Sequence, residues 1–138
     1  LTPAILLGAG NMGRAIANHM NFEERGFKLV AILDSSPNVI GQRIRGMDVL
    51  PIEKIGEVCR DHNVEVAILC IPKEAAPPLV EQLISLNVRG FWNFSHYDIS
   101  HNHPGVLVEN VHLGDSLMTL SYKLNVDRKN NGSLNSST

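Results

Sequence analysis

The sequence predicts an α/β fold on a doubly wound parallel sheet, and three observations carry that prediction. Apolar runs and helix-patterned stretches alternate along the 138 residues, the pattern of βαβ units whose strands are buried on both faces. The first run, Ala4-Ile5-Leu6-Leu7, leads directly into Gly8-Ala9-Gly10-Asn11-Met12-Gly13. The second run, Leu29 to Leu33, closes on Asp34, about 20 residues past the last glycine.

Each residue of the loop has a mechanical task. Gly8 permits the tight turn, Gly10 lets backbone N–H groups approach a diphosphate, and Gly13 lets helix pack on strand. The positive end of the helix that follows faces the same phosphates. Asp34 stands where an adenosine ribose needs an acceptor, and there it disfavours a 2′-phosphate. This is the Rossmann-type arrangement, and it implies a dinucleotide of the NAD(H) kind. Asp34 also has an ordinary alternative as the cap of the turn Ser35-Ser36-Pro37. Arg43 and Arg45 follow closely enough to blur the choice against a 2′-phosphate, although solvated loop charges are the simpler reading.

The remaining elements follow in order. Met12, Ile16 and Met20 recur at helical spacing and face the sheet. An edge strand is expected at Asp48-Val49-Leu50, and a helix carrying Ile55, Val58 and Cys59 after it. Val66 to Ile71 is the most strand-like segment, stopped by Pro72. Ala76, Leu79, Val80, Leu83 and Ile84 share one face of the next helix, whose start is fixed by Pro77-Pro78. Val88–Phe94 and Val106–Val108 read as further strands.

Leu113, Leu117, Leu120 and Leu124 are spaced 4, 3, 4, with Met118 beside the seam. Such a stripe either covers the domain's own last strand or packs on a partner chain. Residues 1–112 are therefore expected to form the Rossmann domain and 113–126 a C-terminal helix. The Asn- and Ser-rich residues 127–138 form a tail expected to be disordered.

Composition bounds the partners. The net charge is −2 and the mean hydropathy −0.01, which fit a soluble domain without general attraction to nucleic acid. No apolar run approaches the ~20 residues of a membrane span, so no membrane partner is expected. Cys59 and Cys70 read as buried small hydrophobes, consistent with a reducing cytoplasm. His96, His101 and His103 lack a ligand pattern, so no metal is expected. Ser95, His96 and Asp98 are chain neighbours, which carries little weight for a catalytic triad. The sequence opens at Leu1 with a strand almost at once, and the chain is expected to be part of a longer protein.

Residues 8–17 (Gly-Ala-Gly-Asn-Met-Gly-Arg-Ala-Ile-Ala), 24–31, 63–69, 71–76, 88–94 (Val-Arg-Gly-Phe-Trp-Asn-Phe) and 108–111 (Val-Glu-Asn-Val) occur in the order seen in the Rex family. The chain resembles those redox-sensing transcriptional repressors from about Ile5 to Leu124. The resemblance implies a Rossmann domain that prefers NADH to NAD, and a homodimer that exchanges its C-terminal helix. It places Ile71, Pro72, Asn93, Phe94 and the partner chain's copy of Leu113 about the nicotinamide. Each described alone has a plainer reading: Pro72 as strand terminator, Phe94 as core, Asn93 as turn former.

Two departures from the family stand out. The winged-helix domain that precedes the Rossmann part in the family has no counterpart in these residues, so contact with DNA is expected only through a domain outside them. The family's tyrosine on the first helix and aspartate after Glu-Asn-Val are matched by His19 and His112, which become the candidates for the redox relay. A histidine in place of an aspartate removes a counter-charge for the oxidised ring. NADH preference is therefore expected to grow as pH falls through the histidine range; exposed surface histidines are the plain alternative.

The expected function is a non-catalytic NADH-sensing core. The alternatives are a CoA-binding Rossmann module, which has a similar first turn, and a fragment of a nicotinamide-dependent dehydrogenase. An enzyme needs a substrate domain and a placed acid or base, and only one helix and a polar tail follow the expected Rossmann part.

Overall fold

A computed structural model describes residues 1–132, with Leu113 and residues 115–119 described through their backbone alone. The elements are β1 (Thr2–Leu7), α1 (Asn11–His19), β2 (Phe27–Asp34), β3 (Arg43–Ile44), β4 (Met47–Asp48), β5 (Leu50–Pro51), α2 (Ile55–His62), β6 (Val66–Leu69), α3 (Ala76–Ser85), β7 (Gly90–Asn93), α4 (Ile99–Asn102), β8 (Leu107–Asn110) and α5 (Leu113–Gly132). Six strands form one sheet in the order β5-β2-β1-β6-β7-β8, with every neighbouring pair parallel. Strand order reverses between β1 and β6, which makes the crevice above that pair the natural ligand position in a doubly wound sheet.

The centre of the sheet is apolar because it has no solvent face. Ile5, Leu7, Ala67, Leu69 and Phe91 pack with α2 and α3 residues Val58, Cys59, Val80 and Leu83 on one side. Leu6, Ile32 and Ile68 pack on the other with Ala17 of α1, Phe22 and Phe94. The strands therefore read as near-continuous apolar runs, not as alternation.

At the β1–α1 crossing the packing leaves no room for a side chain. A Cβ on Gly13 would stand 1.8 Å from the Gly8 carbonyl oxygen, and one on Gly8, where φ is +102°, would stand 2.1 Å from that of Cys70. At the other end of α1 the Arg45 guanidinium donates to the carbonyls of Ala17 (3.0 Å) and Met20 (2.9 Å) and lies over the Phe22 ring. A cation there complements the negative end of the helix.

Two segments differ from the sequence reading. The expected strand at Asp48–Leu50 is a β3–β4 hairpin followed by a two-residue edge strand, β5. Arg45 (φ 54°) and Gly46 (φ 76°) form the two-residue turn of that hairpin, which requires positive φ at both positions. Helix α5 runs to Gly132, so residues 127–132, expected in the tail, are helical. Elongating an existing helix is cheap even through weak formers. Asn131 also donates to Asp127 at 3.2 Å, and Lys129 lies in the last turn. The expected disorder of 133–138 falls outside the described residues.

The leucine stripe of α5 can be followed at Leu120 and Leu124, and both are exposed, as are Tyr122 and Val126. At those positions the stripe does not cover the domain's own last strand.

Gly13→Ala is expected to lower the free energy of unfolding by about 1–3 kcal/mol or more, because backbone must move to admit the methyl group. Gly10→Ala, whose Cβ meets nothing within 4 Å, is expected to cost only about 0.5–1 kcal/mol, as alanine is the poorer N-cap of α1. Urea unfolding of the two variants checks the contrast.

Candidate functional site

The loop after β1 leads into the N-terminus of α1, its Gly8 amide bonded to the Leu33 carbonyl at 2.8 Å. Gly10 is the N-cap of α1 and no side chain caps that helix, so the first turn keeps N–H groups for another acceptor. The loop is held from behind by Asp34, whose Oδ2 accepts from the Ala9 N–H at 2.6 Å and whose Oδ1 accepts from the Ser36 N–H at 2.8 Å. A carboxylate has about four lone-pair sites, so Asp34 retains capacity for two hydroxyl donors. The acid thus anchors the glycine turn and caps the following one, the plainer of the two readings drawn from the sequence, and its remaining lone pairs leave room for the ribose reading.

A cavity of about 500 Å³ opens at this point, lined by Gly8, Gly10, Asp34, Ser35, Ile52, Cys70, Ile71, Pro72, Ala75, Pro78 and Leu79. Among the expected site residues, Gly8, Gly10, Asp34, Ile71 and Pro72 meet in it. Ala9 is buried and Asn11 exposed at the start of α1, with Met12 half-buried and Gly13 buried beneath. Ile52, Pro78 and Leu79 were not read as site residues from the sequence, where Leu79 and Pro78 have only helix roles, because their place in the wall depends on how α3 and the segment before α2 lean over the crevice. Burial pushes the Cys70 thiol up to about 12, and burial raises Cys59 as well, against the opposing pull of Arg60.

Asn93 and Phe94 lie at the end of β7, outside the residues lining that cavity. Phe94 packs in the core edge-on to Trp92, with ring centroids 4.9 Å apart. Asn93 is buried but fully engaged. Its Nδ2 donates to the Tyr97 carbonyl (2.8 Å) and to Asn110 Oδ1 (2.9 Å), and its Oδ1 accepts from the Ser95 N–H and Oγ–H. The Leu113 side chain lies outside the described residues.

The two relay candidates do not meet within one chain. His19 ends α1 and is exposed at the amino edge of the sheet; His112 follows β8 at the carboxyl edge. His112 instead meets His96, Nδ1 to Nδ1 at 3.0 Å. Arg43 is paired with Asp48 at 3.1 Å and, as shown, Arg45 holds the far end of α1, so both arginines are committed elsewhere. Among the described residues no three His, Cys, Asp or Glu side chains gather as a metal group, and no helix is long and apolar enough to cross a membrane.

A second cavity, of about 510 Å³, lies over the amino halves of β6, β7 and β8 and is lined largely by apolar groups, among them Met20, Phe22, Phe27, Val66, Trp92 and Leu107. Leu107 is 72% exposed, so this face of the sheet lacks the cover that α1 gives its neighbour strands.

The profile of the family described as CoA binding domain matches residues 1–97. The chain belongs to that family. The chain is 44% identical over 121 residues to the redox-sensing transcriptional repressor Rex of Caldanaerobacter subterraneus subsp. tengcongensis, a match covering 88% of this chain and 54% of the relative. The crystal structure of RSP, a Rex-family repressor, in complex with β-NADH superposes with a TM-score of 0.81 at 38% identity, covering 92% of this chain and 61% of that one. The same repressor with β-NAD+ and operator DNA gives 0.79 at 37% identity, covering 99% and 62%. The Rex resemblance read from the motifs therefore holds, and so does the Rossmann-type sheet. The chain spans about half the length of the curated relative.

Because its thiol stays protonated up to about 12, Cys70 is expected to react with iodoacetamide at pH 8 about 100-fold or more slowly than free cysteine. Reactivity is restored only on unfolding, which mass spectrometry with and without urea resolves.

Proposed function

We propose that this chain is the NAD(H)-sensing, dimer-forming core of a Rex-type repressor, cytoplasmic and without enzymatic activity of its own. The observation that carries the reading is the pairing of an uncapped α1 N-terminus with a half-engaged Asp34 at the strand-order reversal. The amides suit a diphosphate, and the free lone pairs of Asp34 suit the two hydroxyls of an unmodified adenosine ribose. Glycine turn and helix end alone suit any nucleotide diphosphate; the carboxylate narrows the choice. A 2′-phosphate or a 3′-phosphate on that ribose would bring a second anion against Asp34, while Arg43 and Arg45 are engaged elsewhere.

CoA carries a 3′-phosphate on its adenosine, and the glycine turn supports CoA as the second reading. Asp34 disfavours it. For the dehydrogenase reading, the cavity wall offers Asp34, already holding two amides, and a protonated Cys70; neither is a placed general acid or base.

Preference for NADH follows from the opposite wall. Ile52, Ile71, Pro72 and Leu79 supply no anion, and a buried pyridinium without one costs several kcal/mol. The names of the solved relatives pair NADH and NAD+ with the same repressor, the latter with operator DNA, which supports a role as reporter of the cofactor's redox state. In that reading the cofactor biases the arrangement of two subunits, and a DNA-binding domain outside this chain reads it. The bare trough over β6–β8 and the exposed stripe of α5 support a homodimer in which that helix packs on the partner. His19 and His112 remain the relay candidates, from different subunits.

Fluorescence titration of the chain with NADH is expected to give saturable binding, weaker by about tenfold or more for NAD, NADPH and CoA. Gly10→Ala, which has room for its methyl group and stays folded, is expected to lose NADH binding by about tenfold or more, because that methyl group occupies the approach to the amides. Equal binding of NADH to that variant overturns the site, and tighter binding of CoA than of NADH overturns the ligand. By light scattering the parent is expected to be dimeric and Leu120→Asp/Leu124→Asp monomeric; a monomeric parent overturns the exchange of α5.

A further inference from the structure

The His96–His112 pair is built more deliberately than two surface side chains in passing contact. Both residues are exposed, yet the backbone under each is pinned by the same buried side chain. Asn93 accepts from the Ser95 N–H at 3.0 Å and from the Ser95 Oγ–H at 2.6 Å, and donates to the Tyr97 carbonyl at 2.8 Å. The segment on either side of His96 is thus tied down. Asn93 Nδ2 also bonds Asn110 Oδ1 at 2.9 Å, and its carbonyl accepts from the Val111 N–H at 2.9 Å, which fixes the approach to His112. His96 itself sits at φ 67°, a left-handed conformation that costs a non-glycine residue about 1 kcal/mol or more. The loop keeps that conformation and turns the ring toward its neighbour.

The result is two ring nitrogens, Nδ1 and Nδ1, 3.0 Å apart, on rings tilted by 39° with centroids 5.0 Å apart. Imidazole binds first-row divalent ions at about 2.0–2.1 Å. Two such bonds at a right angle put the nitrogens about 2.9 Å apart, and at the tetrahedral angle about 3.3 Å apart. The observed spacing falls inside that window, nearer the right angle. One shared proton also bridges 3.0 Å; an ion in its place lies off the line between the nitrogens, so each ring turns its Nδ1 lone pair toward it, and the remaining proton of each ring resides on Nε2.

From this geometry we infer that His96 and His112 form a two-histidine chelate for a divalent first-row transition ion, with Ni2+ and Cu2+ favoured over Zn2+ and water completing the coordination. Among the described residues no third His, Cys, Asp or Glu joins them, so the site is open and exchangeable, unlike a closed structural zinc site. His112 immediately precedes α5, so a bound ion clips the root of that helix to the loop after β7. The inference rests on the pair alone and stands or falls independently of the cofactor proposed above.

The test uses the full 138-residue chain without an affinity tag, stripped with EDTA and dialysed. Calorimetric titration with NiCl2, and separately with ZnCl2, is expected to show one ion per chain with Ni2+ the tighter. His96→Gly, which keeps the left-handed backbone and folds without strain, and His112→Ala are each expected to weaken Ni2+ binding by about 100-fold. His101→Ala, at an exposed histidine outside the pair, is expected to bind as the parent does. The Nδ1 resonances of His96 and His112 shift on addition of stoichiometric Zn2+ in side-chain 15N NMR, while those of His19 and His62 do not. Parent-like Ni2+ binding in His96→Gly or His112→Ala, or a parent that binds no ion, overturns the inference.

Discussion

The close approach of three backbone segments, at Gly8, Gly13 and Cys70, is the constraint on which the rest of this molecule depends. No Cβ fits between Gly13 and the Gly8 carbonyl, or between Gly8 and the Cys70 carbonyl. That approach sets the N-terminus of α1 directly over the reversal in strand order, and it brings the Ala9 amide within reach of Asp34. Site and fold thus share one set of contacts. Gly13, needed for packing, and Gly10, needed for ligand approach, stand three residues apart on the same turn, and only the free space around Gly10 separates their roles.

What the sequence made legible was whatever is local. β1, the glycine turn, α1, β2 and Asp34 form one continuous unit, and the chemistry of each residue could be assigned from its neighbours. The burial of β1 and β6 followed from their unbroken apolar runs. Elements whose existence depends on distant packing were less legible. The β3–β4 hairpin hinges on Arg45 and Gly46 at positive φ, while the guanidinium of that same Arg45 caps a helix 28 residues earlier. A solvated loop charge and a helix cap look alike in one dimension.

The histidines show the same limit from another side. Read along the chain, His96 groups with His101 and His103, and His112 groups by family position with His19. Folding pairs His96 with His112 across 16 residues, because Asn93 ties the end of β7 to the end of β8. Nothing in the spacing of the histidines carries that information; it resides in the side chain of Asn93, which reads in isolation as a turn former. Ile52, Pro78 and Leu79 are similar, since ordinary apolar residues become a cavity wall only when helices lean together.

The two unsatisfied surfaces of the molecule bear on how a binding event could be reported. The trough over β6, β7 and β8 and the stripe on α5 are both apolar and both exposed, and neither belongs to the cleft above β1 and β6. Yet β6 is common to both: Ile68 lines the trough, while Cys70, Ile71 and Pro72, at the end of the same strand, line the cleft. A rigid central strand cannot relay a ligand by bending, but it fixes the two surfaces relative to one another. In the homodimer proposed above, a second copy seated on the trough would stand at a fixed position relative to the cleft. Coupling would then need only a ligand whose contacts differ between two arrangements of the copies, and a nicotinamide that gains a positive charge on oxidation is such a ligand against an apolar wall.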